Sequence, residues 1–587
     1  MAQSPLNIPK RIIICCDGTG QSTVSGEKNT PSNVTRLARS LEHVALDDKD
    51  KVWQQIVWYD SGVGTSFSGV ENFAGNWMGA GLEGNIIEAY NFVVLNYTEG
   101  DQIMCFGFSR GAYTARSIAG LISDIGICEP RNMHLFPEIW ELYKKGKAGE
   151  KFYGSDAYFE WVDGKGMEKQ PEDLGYKNCN YKWEKPPHGD WNAVSREIEV
   201  VGVFDTVGAL GLPSIRGWDP LFWQEKPNYF NVKLNRNIKH AFHALALDEH
   251  RESYTPTLWY IPEVDKPETG DIENQIRLKD EAEAKWYSAQ LDRTVSQQTK
   301  QELKLAYNKA RRGLIIMEEN LKDEPELLQV WFPGVHINVG GGSTNTLKNK
   351  GDLEEISNIT FAWLLDQIRP YLGVNQTTVN QEARARQNYI DEINARVDEY
   401  ETMLAAKKEA TAQESWAQWV TRSVGSAASS IMQPLTGTGK PPIRRDRGWG
   451  TGAWVESYTS IYKANGSKPR TPGNYAKDTK QTTLGRTFES VHPTVGYRMH
   501  VTRDLEDEKL RYKPLGENKV VRQKKPGGGW EYLIDGVTLS EYKMKSFDSF
   551  GGEPSFERLA IEGEPAWEYV KKLDEENEVR PGQSINE

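Results

Sequence analysis

The first half of this chain alternates between largely apolar runs, most of which end in glycine and aspartate, and helix-like segments. This alternation limits the fold of the chain more than any other sequence feature. Three such runs precede residue 110: RIIICCDGTG, VWQQIVWYDSGVGT and QIMCFGF. Apolar runs of this kind are typical of strands buried on both faces, as in parallel sheets that carry helices on both sides. The sequence therefore predicts an α/β fold with a mostly parallel sheet and helices on both faces.

Two charged segments interrupt the predicted domain of residues 8–500, and we expect each to form a helical insertion. They lie at about 269–325 and 376–440, and their apolar residues recur in helical steps of three and four. The two stripes are Leu303, Tyr307, Ala310, Leu314, Met317 and Leu321, then Ile390, Ile393, Val397, Tyr400 and Leu404. For residues 501–587 we expect an irregular C-terminal extension, with one hairpin at GWEYLIDGVTL and otherwise disorder.

The charge of the chain argues against a nucleic acid as its partner. The 83 acidic residues outnumber the 71 lysines and arginines, for a net charge of −12, and phosphate contacts need clustered basic side chains. The five cysteines show no paired spacing, which favours reduced thiols. No secretory signal and no run long enough to cross a bilayer is visible. We therefore expect a cytoplasmic protein, with peripheral membrane contact left open and the oligomeric state undetermined.

A serine between two glycines follows one of the apolar runs. The stretch from Gly107 to Gly111 matches the Gly-x-Ser-x-Gly nucleophile elbow, in which a sharp strand-to-helix turn exposes the serine oxygen above the sheet. The alternative is an ordinary tight turn that happens to contain a serine. Because a strand-like run precedes Ser109 and a helix-forming sequence follows it, we favour nucleophilic catalysis.

A catalytic serine needs a base and an acid that orients the base. Asp205 follows the apolar run EIEVVGVF, and His336 follows a later run in a glycine-rich loop, so the chain order is Ser, Asp, His. The alternatives are a turn or helix-capping role for Asp205 and a loop role for His336. His492 is a rival base, which we assign instead to the substrate pocket or to structural support.

The oxyanion of an acyl transfer needs two N–H donors. We predict that Arg110 supplies one and that Gly18 or Thr19 supplies the other. An aspartyl phosphatase with Asp17 as nucleophile is disfavoured, because position 19 holds a threonine where that chemistry needs a second acid.

The residues near the predicted catalytic serine suggest a substrate pocket without a metal or cofactor. To substrate binding we assign Asp17, Asp60, Phe108 and His492. We predict a helix for the segment that contains His240, His243 and His250, with an ion-pair network near its end. A metal site there is a disfavoured alternative, since ion pairing explains the segment more simply. We predict no metal ion and no cofactor.

Eight motifs together resemble the catalytic domain of the type VI secretion phospholipase effector family: CDGTG, NVTRLAR, YDSGVGT, GFSRGAYTAR, VGVFDTVGALG, HALALDEHR, WFPGVHINVGGG and VHPTVGYR. The stretches RGWGTGAWVESYTSIY and RTPGNY look most like its fungal branch. The resemblance implies an α/β-hydrolase fold and a triad of Ser109, Asp205 and His336, in a family of which some bacterial members cleave phospholipid acyl esters. The chain departs from many bacterial relatives at Asn338, where they carry an aspartate.

These observations predict a serine hydrolase of carboxylic esters, with lipid or phospholipid acyl esters favoured by the resemblance. Residues 416–435 contain Trp416 and Trp419 among small residues, and they would form an amphipathic lid or a membrane contact. Two alternatives remain. One is an esterase or thioesterase for small soluble substrates, and the other is a non-catalytic interaction scaffold on a hydrolase fold.

Overall fold

A computed structural model describes most of the chain. The described residues are 8–18, 31–62, 80–146, 151–163, 194–207, 231–342, 355–413, 449–451, 466–477, 482–506, 508, 511–516, 519–526, 528–546, 549–550, 554–562 and 565–578. Among the helices in these ranges, none combines the length and the apolar character that a membrane crossing requires. Four of the five cysteines fall within them, and all four are buried free thiols.

The strands of the described residues form one eleven-stranded sheet. They are β1 (Lys10–Cys16), β2 (Val44–Leu46), β3 (Val52–Asp60), β4 (Gln102–Phe108), β5 (Ile198–Phe204), β6 (Ile238–Ala246), β7 (Glu326–Phe332), β8 (Glu489–Val491), β9 (Val520–Lys524), β10 (Trp530–Ile534) and β11 (Val537–Glu541). Their order across the sheet is β2-β3-β1-β4-β5-β6-β7-β8-β11-β10-β9. The eight neighbouring strands from β3 to β11 pair in parallel, and β2, β10 and β9 are antiparallel to their neighbours. The predicted mostly parallel α/β sheet is confirmed.

Helices cover both faces of the sheet. The described helices are α1 (Asn33–Ser40), α2 (Ala80–Asn96), α3 (Arg110–Ile125), α4 (Phe136–Lys144), α5 (Asp156–Val162), α6 (Thr269–Leu291), α7 (Gln297–Leu321), α8 (His336–Gly340), α9 (Glu355–Ile368), α10 (Gln376–Gln413), α11 (Pro493–Thr502), α12 (Phe556–Leu559) and α13 (Pro565–Glu578). Successive residues of β1 join different cores: Ile12 and Ile14 pack with α2 and α3, whereas Ile13 packs with α1 and α9. Apolar residues are therefore needed at every position of this strand, which explains its unbroken run.

The first insertion is a pair of helices, α6 and α7, as its sequence pattern predicts. Trp286 stacks on Tyr307 between the two helices, with ring centroids 5.5 Å apart. Lys304 and Arg311 of α7 both pair with Asp163, which follows α5, so the pair is anchored to the body of the fold. In the second insertion the structure describes the long helix α10. The remainder, including residues 416–435, lies outside the described residues, and the domain boundaries stay a prediction.

Residues 519–578 contain more regular structure than the expected irregular extension. Strand β11 pairs in parallel with β8, which adds β11, β10 and β9 to the main sheet. The predicted hairpin is the β10–β11 pair, and its turn residues Asp535 and Gly536 both have positive φ, as a two-residue Asp-Gly turn requires. These strands have only five residues each, so their sequence does not reveal the parallel pairing with β8.

The prediction of a helix around His240 and His243 is wrong, because these residues lie on β6. Both neighbours of this strand pair with it in parallel, and all its residues from Ala241 to Ala246 are buried. A short apolar run that is buried on all sides has no distinct periodicity, and only its partners show whether it is a strand or a helix.

Candidate active site

Ser109 occupies a strained turn at the junction of β4 and α3. Its φ of 60° and ψ of −122° lie where residues other than glycine are rare, and such strain costs about 1–3 kcal/mol. A Cβ on Gly107 would lie 2.6 Å from the Cα of Ala112, and one on Gly111 would lie 2.6 Å from the carbonyl carbon of Cys16. The two glycines are therefore required because backbone approaches them too closely for any side chain. This is the geometry of a nucleophile elbow.

A chain of hydrogen bonds links three residues from different strand ends. Nε2 of His336 lies 2.7 Å from Oγ of Ser109, and Nδ1 of His336 lies 2.6 Å from Oδ2 of Asp205. Ser109 follows β4 and Asp205 follows the adjacent β5, whereas His336 follows β7, two strands further along the sheet. The structure thus brings together the three residues that the sequence singles out. Their arrangement suits proton transfer from the serine to the imidazole.

Asp205 is completely buried and held as an anion. Its Oδ1 accepts from the backbone N–H of Ala246 at 3.0 Å, and the guanidinium of Arg470 donates to both carboxylate oxygens, at 2.8 Å to Oδ2. Burial by itself would raise the pKa of this carboxyl. The charge of Arg470 and the hydrogen bond from His336 outweigh burial and bring the pKa well below the usual range.

Two aromatic rings contact the imidazole of His336. The ring of Phe108 lies against it at 4.9 Å between centroids, and Tyr254 meets it edge-on at 4.9 Å. The backbone N–H of His336 donates to Oε2 of Glu249 at 3.2 Å. Burial lowers the pKa of His336 below its ordinary value, although Asp205 acts in the opposite direction. The neutral imidazole is thus the favoured form, and only a neutral imidazole can accept the serine proton.

Arg470 and Tyr254, which lie near His336, have no role in the sequence prediction, and Glu249 enters it only as a member of the ion-pair network. Arg470 stands in the stretch RTPGNY, but nothing in the sequence connects it with Asp205, 265 residues earlier. Burial alone would raise the pKa of Glu249, but its ion pair with Arg251, at 2.7 Å, lowers that pKa to about 2. The predicted ion-pair network after the HALALD stretch therefore exists, although it follows a strand and not a helix.

The predicted oxyanion donors differ in their placement. Arg110 is the first residue of α3, so its N–H belongs to the helix N-terminus beside Ser109 and is suited to a developing negative charge. The N–H of Gly18 donates instead to Oδ1 of Asp17 at 2.6 Å. The Gly18 N–H is therefore bound to the neighbouring carboxylate of Asp17 and does not point at the predicted oxyanion as a free donor. Thr19 lies outside the described residues.

Asp17 holds a loop together. Its buried carboxylate accepts from the hydroxyls of Ser32, Thr35 and Tyr59 at 2.6–2.7 Å, in addition to the Gly18 N–H. Burial raises the pKa of Asp17, while these hydrogen bonds oppose the rise. Because both carboxylate oxygens already have donors, the structure favours a loop-fixing role over the predicted contact with substrate.

Phe108 directly precedes the serine, whereas Asp60 lies further from it. In the sheet register Asp60 lies opposite Cys16, which in turn lies opposite Gly107, so Asp60 stands two strands from the elbow. Asp60 accepts from the side chain of Asn85, and burial raises the pKa of its carboxyl to about 6. Phe108 is buried against Gly18 and Gly340, where its ring supports His336. A substrate contact for Asp60 stays a prediction.

His492 is a structural residue in this fold. It is fully buried at the N-terminus of α11, where its Nε2 lies 2.9 Å from Glu557 and its ring stacks on Phe332 at 4.5 Å. Burial lowers the pKa of His492 to about 3. These partners suit the structural support that we named as one of its two roles, and they suit neither a substrate contact nor the disfavoured rival base.

The three histidines of the HALALD region, which the sequence analysis weighed as a metal site, each have separate partners. His240 contacts Glu326, His243 accepts from the N–H of Thr206, and Nδ1 of His250 lies near a backbone carbonyl. Across the described ranges, no three His, Cys, Asp or Glu side chains converge in a way that would hold a metal ion.

Asn338, where many bacterial relatives carry an aspartate, supports the turn that leads into α8. The side chain of Asn338 accepts from the N–H of Val335 at 3.0 Å, so the amide fixes the start of α8.

Comparison with known proteins gives a family match and several distant relatives. The family described as "T6SS, Phospholipase effector Tle1-like, catalytic domain" matches residues 10–367. The uncharacterized protein YEL023C of Saccharomyces cerevisiae is 24% identical over 435 residues, which cover 61% of this chain and 56% of the yeast protein. The chain thus spans little more than half the length of that relative.

Two solved structures are also similar. The Tle1 effector bound to the VgrG spike of the Type 6 secretion system is 17% identical, with a TM-score of 0.26 and coverage of 57% of this chain and 51% of that chain. An uncharacterized protein from Pseudomonas aeruginosa is 16% identical, with a TM-score of 0.26 and coverage of 60% and 44%.

Proposed function

We propose that this chain, which belongs to the family of Tle1-like phospholipase effector catalytic domains, is a serine hydrolase that cleaves lipid acyl esters. The observation that carries the proposal is the hydrogen-bond chain from Ser109 through His336 to Asp205, which starts at a strained elbow. Strain of this kind persists only where the surrounding structure enforces it, and such strain is concentrated at functional sites.

The reaction proceeds in two halves. Oγ of Ser109 attacks the ester carbonyl while Nε2 of His336 takes its proton, and the tetrahedral oxyanion is stabilised at the N-terminus of α3. The alcohol then leaves with that proton, and an acyl-serine remains. In the second half His336 takes a proton from water, which attacks the acyl-serine. The acyl–oxygen bond to Ser109 then breaks, Oγ takes the proton back from His336, and the fatty acid is released. Asp205 stays ionised throughout and stabilises the imidazolium.

Family membership supports a lipid substrate over other esters, since the matched family is one of phospholipase effectors. We further propose that the protein works in the cytoplasm and at the surface of a membrane, with residues 416–435 in contact with the lipid. That segment combines Trp416 and Trp419 with small residues, and tryptophan is enriched at membrane interfaces.

Labelling with a fluorophosphonate probe tests the nucleophile, because this probe phosphonylates an activated serine. We expect the parent chain to be labelled and the Ser109→Ala and His336→Gln variants to stay unlabelled. His492→Gln, which removes the rival base, should label at the parent rate. Labelling of the His336→Gln variant, or its loss in folded His492→Gln alone, would contradict the assigned base.

Vesicles of phosphatidylcholine and phosphatidylglycerol then test the substrate class. Release of fatty acid from vesicles, absent in Ser109→Ala, is the expected result. Turnover of short soluble esters or thioesters without any release from vesicles would indicate a soluble substrate. A folded parent chain that is neither labelled nor active, with or without vesicles, would favour the non-catalytic interaction scaffold.

A further inference from the structure

We propose that Arg470 is a positioning residue of this active site: it fixes Asp205 in the orientation that His336 requires and balances the charge of that carboxylate. The inference rests on the proposed function, because the orientation matters only if His336 acts as a base. Arg470 lies more than 100 positions beyond the matched family region of residues 10–367. The proposal therefore places part of the catalytic support in a segment that the family match does not include.

The guanidinium of Arg470 contacts three separate elements of the site. Its two terminal nitrogens donate to both oxygens of Asp205, and also to the carbonyls of Ala246 at 2.6 Å and Tyr254 at 3.0 Å. Arg470 is 2% exposed and Asp205 is fully buried, so water does not compete for these bonds. A fork that binds both carboxylate oxygens leaves the carboxylate no freedom to rotate.

The same contacts fix the aromatic ring that borders His336. Tyr254 ends the short 3₁₀ turn Glu252–Tyr254, and its carbonyl is held by Arg470 while its ring meets the imidazole edge-on. Arg251, one residue before the turn, places its guanidinium over the Tyr254 ring at 3.5 Å. Arg470 thus constrains both the acid and one wall of the histidine pocket.

A short backbone ladder presents Arg470 at this point. The N–H of Lys468 donates to the carbonyl of His250 at 2.8 Å, and Arg251 bridges antiparallel to Ser467. The segment before Arg470 is therefore paired with the segment before Tyr254. The side chain of Arg470 thus reaches Asp205 from a backbone that these hydrogen bonds hold in place.

The charged groups around His336 come from three segments and sum to zero while the imidazole is neutral. Asp205 after β5 and Glu249 after β6 are negative, and Arg251 and Arg470 are positive. The phenol of Tyr254 and the hydroxyl of Ser109 are neutral. An unpaired carboxylate beside the imidazole would stabilise its protonated form, which cannot accept the serine proton. By pairing with Asp205, Arg470 keeps His336 available as a base at lower pH.

Two substitutions separate the positional effect from the charge effect. Arg470→Gln removes the charge and the fork, so we expect kcat to fall on the order of 10- to 100-fold at unchanged KM. It should also move the acidic limb of kcat/KM upward by roughly one pH unit. Arg470→Lys keeps the charge but cannot make the two-pronged contact, so kcat should fall while the acidic limb stays in place.

The control variant is Arg522→Gln. Arg522 makes a similar two-pronged pair with Glu541, at 2.8 and 3.0 Å, but on β9 and β11 at the far side of the sheet. Loss of a partly buried arginine pair as such should therefore destabilise this variant without changing kcat or the pH profile. Thermal unfolding of all variants shows which of them are folded.

The measurement is the pH dependence of vesicle hydrolysis, together with the NMR titration of the His336 imidazole in protein labelled at histidine ¹³Cε1. The resonance is assigned by its absence in His336→Gln. An upward shift of the His336 pKa in Arg470→Gln, not seen in Arg470→Lys or Arg522→Gln, is the expected result.

The NMR titration also keeps this inference distinct from the proposed function. If the parent chain neither hydrolyses lipid nor reacts with fluorophosphonate, the proposed function fails, and the titration alone decides on Arg470. A folded Arg470→Gln variant with the parent's titration and rate would overturn the inference. If Arg470→Gln does not fold, Arg470→Lys with an undiminished rate of hydrolysis, or of probe reaction, would overturn it as well.

Discussion

Replacing Gly111 by alanine tests whether the elbow is fixed by the close approach of α3 to β1. The added Cβ would lie 2.6 Å from the carbonyl carbon of Cys16 and closer still to the carbonyl oxygens of Cys16 and Asp17, whereas ordinary contact begins at 3.4 Å. These neighbours are backbone atoms, which cannot rotate away as a side chain would. Relief of the contact with the carbonyl carbon alone requires the start of α3 to move away from β1 by roughly 0.8 Å, and relief of the contacts with the two closer oxygens requires about 1 Å.

This displacement has two consequences of different size. Overpacking of a filled interior costs about 1–3 kcal/mol, so the free energy of unfolding should fall by that amount. Ser109 and the N–H of Arg110 move with the helix, and a shift of about 1 Å at a reacting group costs on the order of 100-fold in rate. The loss of reactivity should therefore exceed what the lower stability explains, because most molecules remain folded.

Equilibrium urea unfolding and the rate of fluorophosphonate labelling measure the two effects. Gly84→Ala is the matched control, because nothing lies within 4 Å of a Cβ at this position of α2. In a helix alanine is favoured over glycine by up to about 1 kcal/mol, so this variant should be at least as stable as the parent and equally reactive. A Gly111→Ala protein that matches the parent in both measurements would refute the reasoning.

Two pH effects follow from the buried groups. Since burial lowers the pKa of His336, the labelling rate should fall only as the pH drops through a value below the usual histidine pKa of about 6.5; a midpoint at or above 6.5 would contradict this. Burial raises the pKa of Glu557 to about 8, so the stability that comes from its protonated form is present below the unfolded value of about 4.3 and is lost as the pH rises towards 8. Glu557→Gln keeps a neutral hydrogen-bonding side chain beside His492, so the free energy of unfolding of this variant should decline less than the parent's between pH 5 and 8. Urea unfolding at each pH measures both, and an equal decline with pH in variant and parent would contradict a protonated Glu557.

The strand ends could be predicted from sequence because they depend on local pattern. An apolar run locates a buried strand, and the parallel arrangement brings the carboxyl ends of such strands to one edge of the sheet. Ser109, Asp205 and His336 each follow a run of this kind, so the pattern and the chain order sufficed to select them. Local pattern also predicted the α6–α7 insertion, whose polar surfaces leave a clear helical stripe.

The features that the sequence did not reveal depend on partners that are distant in the chain. Whether the residues around His240 form a strand or a helix is decided by β5 and β7 on either side. The burial of His492 is decided by Glu557, 65 residues later. Arg470 has an unremarkable local sequence, and only the folded chain places it beside Asp205. In each case the deciding interaction is a tertiary contact that leaves no periodic trace.

The proposed catalytic unit extends beyond the matched family region for a physical reason. Strand β7 is buried almost throughout, and its outer neighbour is β8, which is followed by β11; both lie after residue 367. Without these strands the residues that lead to His336 would form an exposed apolar sheet edge. Without Arg470, Asp205 would be a buried carboxylate that lacks its counter-ion, and breaking a buried ion pair in this way costs about 3–5 kcal/mol. The strand that leads to the proposed base and the ion pair that holds the proposed acid therefore both require the later part of the chain. Residues 10–367 contain the three side chains of the proposed triad but not the structure that aligns them.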